Sequence, residues 1–198
     1  MTSRSLIIAV CILLAASLGL GAYAWRMRSH AVSQVAANDA QPVAPPASGP
    51  TEQATLYVAY DSPGVILPEA ANLPLPEDRQ QRARGLLRAL IQRYTGPSSP
   101  HALAATSDIR DVYLVDPGLA VVDLNADLAN GHRSGVLVEE LTVASFIQTL
   151  SANVPGISRV KFLVDGKERE TLAGHADLMD VYDVNLAGEM VDALQASQ

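Results

Sequence analysis

Cysteine is almost missing from this chain of 198 residues: the only one is Cys11. Everything beyond it lacks a thiol with which to form a disulfide or bind a metal, so its stability has to come from packing. Tryptophan is equally scarce, with Trp25 alone, and the two phenylalanines, Phe146 and Phe162, fall in apolar runs. An exposed aromatic platform for stacking sugars is therefore not on offer. Basic charge is short as well. Residues 54–198 carry 19 Asp and Glu against 11 Lys and Arg, a net charge of −8 that repels phosphate and argues against nucleic acid as a partner. No G-x-S-x-G occurs, and Ser62, Ser98 and Ser99 stand among prolines where turn chemistry accounts for them.

What the chain does have is a long apolar start. Leu6 to Trp25 contains no charge, and at about 1.5 Å per residue its length matches the roughly 30 Å of a bilayer's hydrocarbon. Arg4 precedes it, Arg26 and Arg28 follow it, and Tyr23 and Trp25 stand where amphipathic rings favour the membrane interface. The reading is a single-pass anchor (residues 1–25) in a bacterial cytoplasmic (inner) membrane. The rest of the chain then lies on the outer side. The alternative is a secreted or periplasmic protein released by signal cleavage, since Ala22-Tyr23-Ala24 fits an A-x-A site. A lipid attached at Cys11 fits poorly, because Val10 precedes it where a small residue is needed.

Arg26 to Gln53 is dominated by Ala, Pro, Ser, Gln and Val and reads as a disordered Pro/Ala-rich linker. From Ala54 the pattern changes to short apolar runs alternating with amphipathic stretches, which predicts one α/β (α+β) domain over 54–184 with a tail at 185–198. Ala54 to Tyr60 reads as a strand, closed by Asp61-Ser62-Pro63-Gly64. A helix is expected from Pro76-Glu77-Asp78, with Ala83, Leu86, Leu87, Leu90, Ile91 and Tyr94 on its core face. Ile109 to Val115 and Leu119 to Leu124 form a hairpin around Asp116-Pro117-Gly118. A second, more buried helix runs from Ser134 to Asn153, with Glu139 and Glu140 as a charge pair at its start. Ile157 to Val164 and Glu168 to Leu172 form a last hairpin around Asp165-Gly166. The expected order is strand, helix, hairpin, helix, hairpin, following the membrane helix and the linker.

The run from Leu56 to about Leu178 resembles the GerMN domain, named from a spore-germination protein and found in exported bacterial proteins. The resemblance rests on an ordered set: Leu56-Tyr57-Val58, Arg82-Ala83-Arg84-Gly85-Leu86-Leu87 with Leu90, and Gly96-Pro97. Then come Val121-Val122-Asp123-Leu124, Thr149-Leu150, Val160-Lys161-Phe162-Leu163-Val164-Asp165-Gly166 and Leu172-Ala173-Gly174-His175-Ala176-Asp177-Leu178. Gln92 to Thr95 and Ala104 to Asp108 depart from the family's pattern, so the loop 95–108 transfers least. The resemblance implies a non-catalytic module of the bacterial envelope.

The chemistry-bearing residues support that view. His175 and Asp177, two apart, would project to one side of an extended segment, with Asp165 within reach across the hairpin. A stable metal site wants three or four ligands and a supporting shell, however, so no metal or other cofactor is expected and His175 is read as a structural hydrogen-bonding group. Arg84 and Arg88 lie one turn apart beside the core stripe of the first helix, where two guanidinium groups could meet an acidic partner surface. The candidate partner-binding residues are thus Arg84, Arg88, His175 and Asp177, and the expected partner is an envelope protein or a second copy of the chain, with the membrane engaged through residues 6–25. A small-molecule ligand is not expected, and no catalytic residue is assigned. The competing reading is a cell-wall ligand-binding or hydrolytic module.

Overall fold

The computed structural model describes residues 51–115 and 117–187. The expected membrane segment 6–25, the linker up to residue 50, Asp116 and the tail beyond residue 187 lie outside the described residues. The domain opens with β1 (Thr51–Tyr60) and β2 (Val65–Pro74), paired antiparallel from Thr51 opposite Pro74 to Tyr60 opposite Val65. β1 begins at Thr51 rather than Ala54, so Thr51, Glu52 and Gln53 belong to the domain and not to the linker. At the other end the domain reaches into the expected tail, for Ala187 is buried.

The other edge of β1 is closed by side chains. Thr55 N–H donates to Asn153 Oδ1 at 3.0 Å, Tyr57 N–H to Thr149 Oγ1 at 3.0 Å and Ala59 N–H to Tyr94 Oη at 2.8 Å. Asn153 Nδ2 donates back to Thr55 O at 2.7 Å. Helix side chains thus stand where a further strand would, and the edge amides keep their partners. Because residues 55, 57 and 59 face away from β2, Tyr57 and Thr51 occupy pair positions without ladder bonds. Pro68 and Pro74 sit opposite them and remove no hydrogen bond from the hairpin.

α1 (Arg79–Thr95) starts later than expected, because Asp78 caps it in an extended conformation and accepts the Gln81 N–H at 2.8 Å. An aspartate does more at the cap, where an orphan amide needs an acceptor, than inside the first turn. Its buried face is the expected one: Ala83, Leu86, Leu87, Leu90, Ile91 and Tyr94. β3 (Ile109–Val115) and β4 (Leu119–Leu124) form the expected hairpin, with Gly118 at φ +72° in the turn. A short helix, α2 (Ala126–Asn130), capped by Asn125, follows, and then α3 (Val136–Asn153). α3 starts at Val136 rather than Ser134 and is buried on most of its circumference.

β5 (Arg159–Val164) pairs parallel with β4, and β6 (Val181–Asp183) pairs antiparallel with β5, giving a four-stranded sheet in the order β3-β4-β5-β6. The last hairpin differs from expectation. Asp165 (φ +51°) and Gly166 (φ +70°) make the expected tight turn, but Val164 and Lys167 form an isolated bridge and Glu168–Leu172 is not a strand. The chain instead makes a loop over 167–180, folded on itself by Leu172 N–H to Ala176 O and Leu178 N–H to Glu170 O, with Leu172 and Leu178 fully buried. Burial of these two leucines favours the loop.

One face of the sheet is core, in registered rows such as Val112, Val122 and Phe162. α1 packs on β3, β1 and α3, while α3 packs on β1 and, through Phe146 against Phe162 with ring centroids 6.4 Å apart, on β5. The opposite face carries the row Tyr113, Val121, Lys161 and Val181. Loop 167–180 covers part of it, since Lys161 Nζ donates to Leu178 O at 3.0 Å, but Tyr113 and Val115 stay 44% and 48% exposed.

Candidate functional site

Three of the chain's four histidines, His101, His132 and His175, converge on the first turns of α3. Gly135, the residue before the helix, has no side chain to cap it, and the helix's own Glu139 reaches back to accept the Gly135 N–H at 3.1 Å. The Glu139 carboxylate also takes the backbone N–H groups of Ala173, His175 and Ala176 at 2.9, 2.9 and 3.0 Å, and lies 2.9 Å from His175 Nδ1. Its side chain is wholly enclosed. Burial by itself would raise its pKa, but the hydrogen bonds from His175 and the backbone outweigh that and hold it down at about 2. Glu139 is therefore not half of a solvated charge pair. It is the ionised centre on which the 173–176 loop is folded.

One turn further along, Thr142 Oγ1 lies 2.6 Å from His101 Nε2, 2.7 Å from His132 Nε2 and 3.1 Å from Val138 O. His101 Nδ1 is 2.6 Å from Asp61 Oδ1, and the other oxygen of Asp61 accepts from Arg133. Tyr94 sets its ring edge-on to His101, centroids 4.9 Å apart. Burial pushes both His101 and His132 below the usual imidazole range, and for His101 the Asp61 carboxylate opposes that shift. Asp61, His101 and Thr142 reproduce the carboxylate, imidazole and hydroxyl series of hydrolases. Thr142 is only 1% exposed, however, and its hydroxyl is shared among three groups. A substrate carbonyl cannot reach it with α3 in place.

The residues singled out from sequence do not gather into one site. His175 is bound to Glu139 and not to Asp177, whose Oδ1 accepts the Met179 N–H at 2.6 Å. Asp165 is occupied elsewhere, accepting from Ala126 N–H at 3.1 Å and from Arg110 at 3.2 Å. Among the described residues no group of three His, Cys, Asp or Glu is placed to hold a metal. Arg88 makes a two-pronged pair with Asp108 at 3.1 and 2.8 Å. Arg84, one turn earlier, has its Nε buried without a hydrogen-bond partner, and its charge acts on the phenol of exposed Tyr113. Among the described residues no hydrogen bond or ion pair links Arg84 and Arg88 to His175 and Asp177.

Sequence reasoning missed Asp61, His101, His132 and Thr142 because no local spacing joins them; the His101 contacts span 40 and 41 positions. One signal was present. Thr142, Ser145 and Thr149 fall on buried positions of this helix among apolar residues, and buried polar side chains require partners.

A family model named Germane and described as sporulation and spore germination matches residues 55–170. No curated protein matches the chain. Among solved structures it is similar to a candidate lipoprotein from Clostridium perfringens, with 18% identity, a TM-score of 0.45, and coverage of 72% of this chain and 93% of that one. It is also similar to the first GerMN domain of the sporulation protein GerM from Bacillus subtilis, with 20% identity, a TM-score of 0.48, and coverage of 66% and 95%. The tandem GerMN domains of the same protein give the same identity and score, with coverage of 66% and 45%.

Proposed function

This chain belongs to the Germane family, described as sporulation and spore germination, and from that membership we propose that it is a non-catalytic protein-binding module of the bacterial cell envelope. Residues 6–25 tether it to the cytoplasmic membrane, and the folded domain stands outside. The observation that carries this reading is Arg84 together with exposed Tyr113. Arg84 has no hydrogen bond or ion pair among the described residues, and its Nε is already desolvated. Its charge acts on Tyr113, a half-exposed tyrosine on the uncovered part of the sheet. Arginine and tyrosine are residue types enriched among the dominant residues of protein interfaces, and the unpaired guanidinium suits a partner carboxylate. The acids and imidazoles that would serve a hydrolase are, by contrast, consumed in holding the fold.

A photocrosslinking residue placed at Tyr113 of the full-length chain tests this in producing cells. One defined protein adduct is expected, weakened severalfold by Arg84→Ala and little changed by Arg88→Ala, whose guanidinium is committed to Asp108. Absence of any adduct would count against the module. Release of peptidoglycan fragments, abolished by a folded His175→Ala variant, would replace it with the cell-wall enzyme.

A further inference from the structure

Hydrogens can be counted around the Thr142 hydroxyl. His101 Nδ1 faces the Asp61 carboxylate at 2.6 Å, and His132 Nδ1 faces the carbonyl oxygen of Arg133 at 2.7 Å. Both of these oxygens accept here, and the second oxygen of the Asp61 carboxylate accepts from Arg133. Each Nδ1 must therefore carry a hydrogen. In a neutral imidazole that leaves Nε2 as a bare acceptor. Both Nε2 atoms, at 2.6 and 2.7 Å, point at the same Thr142 Oγ1. A hydroxyl has one hydrogen and serves only one of them. The other contact would set lone pair against lone pair at hydrogen-bond distance. Two neutral imidazoles and one hydroxyl bring three hydrogens to the four short contacts of this cluster, and Val138 O, 3.1 Å from the Thr142 hydroxyl, competes for that hydroxyl's one hydrogen.

We infer that the cluster binds one additional proton, shared between His101 and His132 through the Thr142 hydroxyl, and that this proton fastens the loop 131–135 to α3 in a pH-dependent way. With the proton bound, one imidazole donates to Thr142 Oγ1 and Thr142 donates to the other, so that each of the four short contacts has its hydrogen and the longer contact to Val138 O is given up. The groups facing the pair decide how firmly the proton is held. Asp61 on the β1–β2 turn and Glu139 on α3 favour it; Arg133, the neighbouring imidazole and burial oppose it. Tyr94 of α1 contributes a neutral ring edge against His101. As pH rises the proton leaves and one of the two Nε2 contacts has to part. His101 is completely enclosed and pinned by Asp61, whereas His132 rides on the loop with a little exposure, so His132 is the one that swings out. The loop carries Arg133, and Ser134 with its hydroxyl 3.4 Å from His175 Nδ1, so the surface around His175 changes with it. Burial lowers the pKa of both imidazoles, so the proton is held only on the acid side of the usual imidazole range, where it supplies a hydrogen bond that the neutral pair cannot make.

The test is imidazole nitrogen NMR on the full-length chain labelled with ¹⁵N-histidine, from about pH 4 to about pH 8, the ordinary histidine range extended to the acid side because burial lowers both imidazoles. At the acid end the two buried imidazoles should together carry three ring N–H hydrogens. They should lose one as pH rises, with amide exchange at Arg133 and Ser134 speeding up beyond its intrinsic pH dependence over the same interval. His132→Gln supplies an N–H donor to Thr142 without titrating. In that variant His101 should stay neutral throughout, and the loop amides should lose their excess pH dependence. If both wild-type imidazoles carry hydrogen only on Nδ1 across the whole range, the shared proton does not exist. If His101 titrates identically in a folded His132→Gln variant, its proton is not shared. Should that variant fail to fold, the wild-type spectra still decide the matter.

Discussion

Glu139→Ala would strip four backbone N–H groups and one imidazole of their common acceptor. Unpaired buried donors each cost about 1 to 3 kcal/mol, so a loss of at least about 3 kcal/mol is expected, with the 173–176 loop released first. The pH dependence has a definite sign. The folded-state pKa of about 2 lies below the roughly 4.3 of an unfolded glutamate. The contribution is therefore complete above that ordinary value and disappears as pH falls from about 4.3 toward about 2. Urea unfolding over this interval should show the wild type losing stability more steeply than Glu139→Gln. Parallel slopes would mean that the carboxylate is not the group responsible. From sequence, Glu139 is indistinguishable from a solvated first-turn acid, because its value depends on the 173–176 loop folding back onto it from more than thirty positions away. His175 was legible as a structural hydrogen-bonding group, but its partner was not, and Asp61, His101, His132 and Thr142 were invisible for the same reason of distance.

At the scale of elements, the closure of β1 by α3 is open to direct trial. Asn153→Ala removes the acceptor of the Thr55 N–H and the donor to Thr55 O and should cost about 2 kcal/mol, from two hydrogen bonds worth about 1 kcal/mol each. Thr149→Val keeps the volume and should cost about 1 kcal/mol. Hydrogen exchange would locate both effects, quickening at the Thr55 amide in the first variant and at the Tyr57 amide in the second. Unchanged exchange at either amide would show that its edge is shielded by other means. Elements whose signal is local could be read from the sequence: the buried stripe of α1, and β3 and β4 with their turn. β2 could not, since Val65 to Pro74 contains two prolines, a glutamate and an asparagine and is a strand only because β1 offers a ten-residue register. β6 was hidden similarly. A tight turn at Asp165-Gly166 announces a hairpin, while the burial of Leu172 and Leu178 draws the chain away and leaves the edge of β5 to Val181–Asp183.

For the whole molecule, a fragment beginning at Thr51 should fold cooperatively without metal or oxidant, and circular dichroism with a single thermal transition would establish it. The full-length chain should stay with membranes through carbonate extraction, because a twenty-residue apolar segment is held by burial and not by charge. A soluble mature protein starting near Trp25 would mean that the segment is a cleaved signal. The closed edge of β1 also bears on how this molecule can be joined. Pro68 and Pro74 interrupt the far side of the hairpin. In the other sheet Asp111 occupies the Val112 amide with its own carboxylate at 2.8 Å, and β6 is only three residues long. Strand addition, the least selective way for one chain to grip another, thus finds little purchase here. Any lasting companion has to be recognised through side chains, which makes its identity tunable by single substitutions. It also lets many copies crowd a surface without zipping together.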